Sequence, residues 1–307
     1  MQRRSFLQTA TLSTAGMFAA QTFTAQTIPA QQNESKNQTK PERLHIAVNQ
    51  YAVNSFYQRE NKNFAEQFDE MKSVGVDGLE PTVDNAQSLA NLGKKLKDHG
   101  LEFRSVYVGG NLHEPEIAEK EMGRIRGIAE KAKELGSQII IFNPAAKRGK
   151  NDAELILQAE NVNKLGSELD SFGMKLAFHY HTTELEFAAR EFHHLLCNTN
   201  PRYFSLCLEQ HWSYRGSGNS QVALFDHLKL YGNRMIAVHL RQSVNHVWSE
   251  TFGDGDIDNL KLAADLKTFN VPIHFVLEQA TEKNTPKTLT ADVVFRQSCE
   301  YIRRVFY

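Results

Sequence analysis

Residues 175–187, KLAFHYHTTELEF, pass from an apolar run of strand character directly into two histidines and a polar stretch. His179 and His181 are two residues apart, so in a strand both side chains point to one face while Tyr180 points to the other. The same order, an apolar run that ends in an ionisable side chain, recurs along the chain. This repetition indicates a parallel sheet built from strand–helix units, with the ends of its strands on one common face.

Eight β-rich runs alternate with longer segments of helical period after Arg43. They begin near His45, Gly78, Glu102, Gln138, Lys175, Ser205, Met235 and Ile273. Each unit averages about 33 residues, close to the ~30 residues of one strand–helix–strand step. The sequence therefore predicts an α/β fold, a single (β/α)8 TIM barrel over residues 44–307. A doubly wound open sheet is the alternative, but no strand is followed by a Gly-x-Gly-x-x-Gly turn.

Five of the intervening helices are expected to end at a glycine, which supplies a left-handed cap. The predicted helices are 63–74, 84–99, 114–135, 152–172 and 221–231, followed by Gly75, Gly100, Gly136, Gly173 and Gly232.

The composition is that of a soluble enzyme with a sizeable core: 307 residues, 41% hydrophobic and 23% charged. The formal charge of -1 produces no long-range field of the kind that attracts nucleic acid, which is excluded as a partner. The cysteines, Cys197, Cys207 and Cys299, form at most one disulfide and show no metal-ligand spacing. We expect them to pack as small apolar groups.

The N-terminus differs from the rest of the chain. Arg3 and Arg4 precede Ser-Phe-Leu and an uncharged Ala/Thr-rich run, so residues 1–30 resemble a twin-arginine export signal. A disordered or weakly amphipathic N-terminus is the alternative. The run is too short and too polar for a stable membrane span. Residues 31–43 are polar and are expected to form a flexible linker. The predicted location is the periplasm or the exterior of a bacterium.

Ionisable groups stand where five of the predicted strands finish, the position of catalytic groups in a β/α barrel. They are Glu80, His179, His181, Glu209, His211, His239 and Glu278. One histidine at a strand end is usually a packing residue, but buried carboxylates and imidazoles together cost several kcal/mol per charge without a cation. Mixed nitrogen and oxygen ligands suit Mn²⁺, Co²⁺, Zn²⁺ or Fe²⁺ better than Ca²⁺. A divalent metal ion is therefore the expected cofactor. Glu184, in the loop expected after His181, is a further candidate ligand.

Four motifs resemble those of the xylose isomerase-like barrels, a superfamily of sugar phosphate isomerases/epimerases that also contains inosose dehydratases. HYHTTELEF is similar to the family's His-Asn-His-x-x-Glu-Phe at the end of strand five. LCLEQHW resembles Leu-x-Leu-Asp-x-Tyr-Trp, which places Glu209 at the metal-binding Asp and Trp212 at the family Trp. RMIAVHLRQ resembles Arg-x-x-x-x-His-x-Lys-Asp, with His239 as ligand. GDGDID, residues 253–258, is similar to Gly-Glu-Gly-x-Ile-Asp, and VLEQ supplies Glu278.

The resemblance implies a divalent-metal-dependent sugar isomerase or epimerase that works through a metal-stabilised enediolate. The implied metal ligands are Glu209, His239, Glu278 and at least one of His179 and His181. Proton transfer is assigned to His181 or Glu278. The candidates for binding a small-molecule carbohydrate are Glu80, Trp212 and Arg241.

In many members of the family, two Glu, one Asp and one His hold the ion. This sequence differs from that set of residues. A histidine, His179 or His181, replaces the strand-five carboxylate, Glu209 replaces the Asp, and Arg241-Gln242 replaces Lys-Asp. A histidine base has a pKa near 6.5 rather than near 4. The chemistry therefore suits equally a lyase or hydratase acting on 3-keto-glycosides or keto-polyols. A non-catalytic carbohydrate-binding barrel is a third hypothesis. The sequence is compatible with an oligomer.

Overall fold

A computed structural model describes residues 43–269 and 271–307. Eight parallel strands form one sheet. The strands are β1 Ile46–Asn49, β2 Gly78–Glu80, β3 Ser105–Gly110, β4 Ile139–Pro144, β5 Lys175–Phe178, β6 Phe204–Glu209, β7 Met235–Leu240 and β8 His274–Leu277. Their order in the sheet is β2-β1-β8-β7-β6-β5-β4-β3. Isolated parallel bridges from Gly78 to Glu102 and from Thr82 to Tyr107 join β2 to β3. The predicted (β/α)8 barrel is confirmed.

Within the described residues, ten α-helices connect and cover these strands. They are α1 Gln50–Tyr57, α2 Phe68–Ser73, α3 Ala86–Asp98, α4 Pro115–Glu134, α5 Asp152–Ser171, α6 Thr182–Asn198, α7 Gln210–Gly216, α8 Gln221–Tyr231, α9 Asn259–Leu266 and α10 Ala291–Phe306. A two-stranded antiparallel hairpin, Ser243–Val244 with Val247–Trp248, follows β7. None of the helices in the described part of the chain is long and apolar enough to cross a membrane.

The glycine caps are present at four of the five predicted positions. Gly75, Gly100, Gly136 and Gly173 have φ of 99°, 66°, 99° and 80°. Gly232 is an exception, because its φ of −58° is right-handed and it begins a short 3-10 helix, Gly232–Arg234, that leads into β7. The prediction of one helix over 63–74 is also wrong, since that stretch forms a 3-10 turn, Phe64–Glu66, followed by α2. The predicted export signal and residues 31–42 of the linker lie outside the described residues.

The side chains that fill the barrel beneath the polar strand ends are mostly small. Ile141, Ala177, Cys207 and Ala237 form a cluster separate from the main core, which lies between the strands and the helices. Side chains two residues apart on a strand share one face. The steps from Ala177 to His179 and from Ala237 to His239 therefore keep both histidines pointing inwards, directly above these small residues.

The close contact of α5 with the loop before β6 depends on Gly166. A Cβ at this position would lie against the backbone carbonyl oxygen of Tyr203. We expect Gly166→Ala to lower the free energy of unfolding by about 1–3 kcal/mol, the usual cost of overpacking. Gly123 in α4 has open space around it, so Gly123→Ala is expected to stabilise by roughly 0.5–1 kcal/mol. Urea unfolding of both variants checks the contrast, and equal stabilities would contradict it.

His227 in α8 predicts a loss of stability in acid. Its Nδ1 lies 3.2 Å from Ser213 Oγ, and burial lowers its pKa from 6.5 to about 4. Below pH 6.5 the unfolded chain binds a proton that the folded chain does not, so stability is lost as pH falls from 6.5 towards 4. At 1.36 kcal/mol per pH unit, His227→Gln should lose about 2 kcal/mol less than wild type between pH 7 and pH 5. Urea unfolding midpoints of wild type and His227→Gln at the two pH values measure this difference. Equal losses of stability in the two proteins would refute the prediction.

Candidate metal centre

Three side chains from the ends of neighbouring strands β5, β6 and β7 meet inside the barrel mouth. Glu209 Oε1 lies 2.9 Å from His179 Nδ1 and 2.7 Å from His239 Nδ1. All three residues are at most 1% exposed. Glu209 and His239 are paired directly in the register of β6 and β7, so the fold itself brings their side chains together.

Cys207 lies beneath this group and was not predicted to take part in it. Ligand atoms of His179, Cys207, Glu209 and His239 all lie within 4.8 Å of one another. Burial raises the pKa of the Cys207 thiol to about 12. Cys207 is therefore a neutral thiol that packs among small apolar side chains, and its sulfur also lies beside the cluster of candidate ligands. The spacing of two residues between Cys207 and Glu209 on one strand is the signal that could have identified it.

Two further carboxylates approach the same imidazole. Glu278 Oε2 lies 3.5 Å from His239 Nδ1 and 3.1 Å from Arg241 Nη2. Glu80 Oε1, at the end of β2, lies 3.1 Å from His239 Nε2. Three buried carboxylates therefore surround His239, and one guanidinium, that of Arg241, pairs with one of them.

His181 borders the group on its more open side. Its Nε2 lies 3.2 Å from His179 Nε2, and it is partly exposed where His179 is fully buried. Its ring makes an edge contact with Trp212, at 5.4 Å between centroids. Trp212 is itself partly exposed, so both residues lie where a substrate can reach them.

Arg241 is held between aromatic rings above Glu278. Its guanidinium carbon lies 4.1 Å from the ring centroid of Trp248 and 5.6 Å from that of Trp212, and its Nε donates to the Glu278 carbonyl oxygen. Trp248 belongs to the hairpin after β7 and was not identified from the sequence, where no motif marks it. His211 is buried against both tryptophan rings rather than in the cluster of carboxylates.

Glu184 does not lie in a loop, as the sequence suggested, but in the first turn of α6. Its Oε2 accepts a hydrogen bond from the backbone N–H of His181, and the side chain is 1% exposed. Burial raises its pKa to about 7, an effect that the His181 N–H opposes. Glu184 therefore fixes the backbone at His181.

Burial and charge set opposite protonation states for the histidines. Burial lowers the pKa of His179 to about 3 and that of His181 to about 4. Burial also acts to lower the pKa of His239, but the carboxylates of Glu80 and Glu209 outweigh it and raise that pKa well above 6.5. His179 and His181 are therefore neutral at pH 7, with lone pairs available to an ion or a proton.

The donor atoms suit a divalent metal ion. Five buried atoms on and around His239 lack an aligned hydrogen bond, although ion-pair contacts reach several of them, namely His179 Nδ1, Glu209 Oε1, His239 Nδ1, His239 Nε2 and Glu278 Oε2. Such buried groups are costly unless something pairs with them. A cation satisfies lone pairs that point at one another and offsets the excess of carboxylate charge. The nitrogen and oxygen donors match the ligand preferences of transition metals.

The fold and this cluster define the class of protein: a (β/α)8 barrel with a candidate metal site at the C-terminal ends of its strands. A model of the xylose isomerase-like TIM barrel matches residues 68–305, and the chain belongs to that family. Among proteins of curated function, none matches the sequence of this chain.

Solved structures with the same fold have diverse sequences. A sugar phosphate isomerase/epimerase from Parabacteroides distasonis is 16% identical, with a TM-score of 0.68 over 90% of this chain and 98% of that one. The IOLI protein with a bound zinc atom is 15% identical, with a TM-score of 0.66 over 86% and 98%. The probable 3-DHS dehydratase from Bacillus anthracis is 11% identical, with a TM-score of 0.63 over 84% and 98%. At these identities the likeness shows the fold.

Proposed function

We propose that this protein is a divalent-metal-dependent isomerase or epimerase of a small carbohydrate. The observation that carries the proposal is the convergence of the buried His179, Glu209 and His239 side chains at the strand ends, with the Glu278 carboxylate beside them. The sugar phosphate isomerase/epimerase and the zinc-bound IOLI protein among the structural neighbours support it.

The four residues would hold the ion, with His179 rather than His181 as the ligand from β5. His179 is the histidine that lies within 2.9 Å of Glu209, whereas His181 contacts His179 from the open side. A divalent ion held there supplies a Lewis acid that polarises a carbonyl and the hydroxyl beside it, which lowers the cost of an enediolate.

His181 and Glu278 would exchange protons with the substrate. A neutral imidazole is needed to remove the proton from the carbon next to the carbonyl, and the lowered pKa of His181, caused by burial, provides it at pH 7. His181 follows β5 and Glu278 follows β8, so they approach from strands that two others separate. One base removes the proton and the other returns it, which is the requirement for inversion at that carbon.

Trp212, which is partly exposed, and Arg241, which is buried beside it, would bind the sugar. The ring of Trp212 offers an apolar surface for the carbon face of a sugar. Arg241 would hold a hydroxyl or carboxylate, although its Nη2 already contacts Glu278. Export, as the first thirty residues predict, favours a substrate without phosphate.

Deuterium exchange tests this function. The purified protein, loaded with Mn²⁺ or Co²⁺, is incubated in D₂O with free and phosphorylated ketoses. We expect deuterium at one carbon and an isomer or epimer of a free sugar, and no reaction after chelation or in Glu278→Gln. Stoichiometric metal without exchange on any sugar would contradict the proposal, and absence of metal would favour a carbohydrate-binding barrel without catalysis.

A lyase is the second candidate, which the histidines after β5 and the dehydratase among the structural neighbours favour. Here His181 would remove the proton next to the carbonyl, a carbon–carbon double bond would form, and the β carbon–oxygen bond would break as an acid protonates the leaving oxygen. A 3-keto glucoside distinguishes the two reactions. An unsaturated product that absorbs in the near ultraviolet indicates elimination, whereas exchange without loss of the glycoside indicates epimerisation.

A further inference from the structure

Glu80 is fully buried and reaches His239 across the inside of the barrel. The strands that carry them, β2 and β7, are not neighbours, because β1 and β8 lie between them. Glu80 Oε1 nevertheless lies 3.1 Å from His239 Nε2, and both residues are at most 1% exposed. Glu80 is therefore closed off from solvent at the barrel mouth.

The two nitrogens of His239 face different groups. Nδ1 faces Glu209 Oε1 at 2.7 Å and Glu278 Oε2 at 3.5 Å, on the side of the candidate ligands. Nε2 faces Glu80 on the opposite side of the ring. The arrangement resembles the carboxylate–histidine–metal triad, in which one nitrogen binds the ion and the other donates its hydrogen to a carboxylate.

Glu80 is itself held by donors to both of its oxygens. Asn49 Nδ2 donates to Oε1 at 2.8 Å, and Ser105 Oγ donates to Oε2 at 2.6 Å. The Ser105 hydroxyl also lies 3.0 Å from His274 Nε2, nearer the opposite end of the barrel. These contacts fix the plane of the carboxylate before anything binds at the mouth.

We propose that Glu80 is a positioning residue, which accepts the Nε2–H of His239 and so presents Nδ1 to the metal ion. The inference rests on the proposed metal site and replaces the substrate-binding role that the sequence suggested for Glu80. The 3.1 Å contact is within hydrogen-bond distance. The carboxylate then fixes the tautomer and makes Nδ1 a stronger donor to the ion.

Metal affinity and the visible spectrum of bound Co²⁺ test this role without reference to catalysis. Full-length Glu80→Gln is titrated with Co²⁺ beside wild type. We expect binding about 10–100-fold weaker, the usual effect of losing such a partner, with a changed absorption band because the ring is no longer held. Ser105→Ala, which keeps the carboxylate and removes one donor, should shift affinity in the same direction by less.

Glu250→Gln is the matched control, because Glu250 is also buried, at 6% exposed, but its carboxylate contacts Arg59 and Thr288. It should bind Co²⁺ as wild type does. If Glu80→Gln fails to fold, Ser105→Ala decides. Wild-type affinity and spectrum in the folded variant overturn the inference, and a raised KM with unchanged affinity assigns Glu80 to the substrate instead. A wild-type protein that binds no Co²⁺ overturns the proposed function as well.

Discussion

Glu209→Gln is expected to abolish tight metal binding while leaving the barrel folded. Glu209 Oε1 is the atom that both His179 Nδ1 and His239 Nδ1 approach, at 2.9 and 2.7 Å, so it lies at the centre of the candidate site. Protein metal sites of four ligands bind with about 10–16 kcal/mol. One charged ligand then accounts for roughly 3–4 kcal/mol, or two to three powers of ten in Kd.

Glutamine has the shape of glutamate, which separates loss of a ligand from loss of packing. Calorimetric titration with Co²⁺ or Zn²⁺ measures the Kd, and metal content after dialysis measures occupancy. Urea unfolding without metal should show no large loss of stability, because the substitution removes one of three carboxylates crowded around His239. Glu250→Gln again serves as control. Binding by Glu209→Gln that equals wild type would remove the central residue from the site and with it the proposed ligand set.

The strands of the barrel were predictable because most are short apolar runs, and five of them end in an ionisable side chain. Runs such as residues 138–142 and 235–240 are nearly continuous in apolar residues, as expected for strands buried on both faces. Elements without such a pattern were missed. Helix α1 starts directly after β1, with Asn49 as its N-cap, and the hairpin after β7 has strands of only two residues. Neither has a period long enough to recognise.

The candidate site was predictable as far as strand periodicity reaches. Residues at the ends of β5, β6 and β7 must meet if the strands are parallel neighbours, and His179, Glu209 and His239 do. The contact of Glu80 with His239 depends instead on the curvature of the barrel, which brings together side chains of strands that two others separate. The role of Gln242 likewise depends on contacts with residues that are distant in the sequence. Its amide donates to the carbonyl oxygens of Gly253 and Ile257, so it holds the loop whose sequence resembled a family motif.

The charges of the site explain why a histidine can replace a carboxylate after β5. Glu80, Glu209 and Glu278 already approach His239 within 3.5 Å. A fourth buried carboxylate in place of His179 would increase their mutual repulsion at full desolvation. A neutral imidazole adds a ligand without adding charge. In this chain Glu80 contacts His239, and His179, after β5, is the neutral donor.

His181→Asn is expected to abolish turnover and to keep the metal ion bound. His179→Asn is expected instead to weaken the binding of the metal ion. Loss of a general base costs about 10²–10⁴ in kcat, and His181 is the partly exposed, neutral imidazole beside Trp212. Asparagine also suits the first position before α6, so the helix should persist. His179 instead directs Nδ1 at Glu209, and its loss should weaken metal binding by two to three powers of ten, as for Glu209→Gln.

The paired variants decide which histidine binds the ion, which strand periodicity alone leaves open because both side chains point to one face. Co²⁺ affinity and deuterium exchange are measured on each variant at the same pH. His181→Asn that binds Co²⁺ as wild type does but fails to exchange deuterium assigns His181 to proton transfer. If it loses the metal as completely as His179→Asn does, both histidines are ligands and the base must be Glu278 alone. Full exchange activity in His181→Asn would leave the imidazole without a chemical role, and its contact with His179 Nε2 would then serve only to hold the ligand.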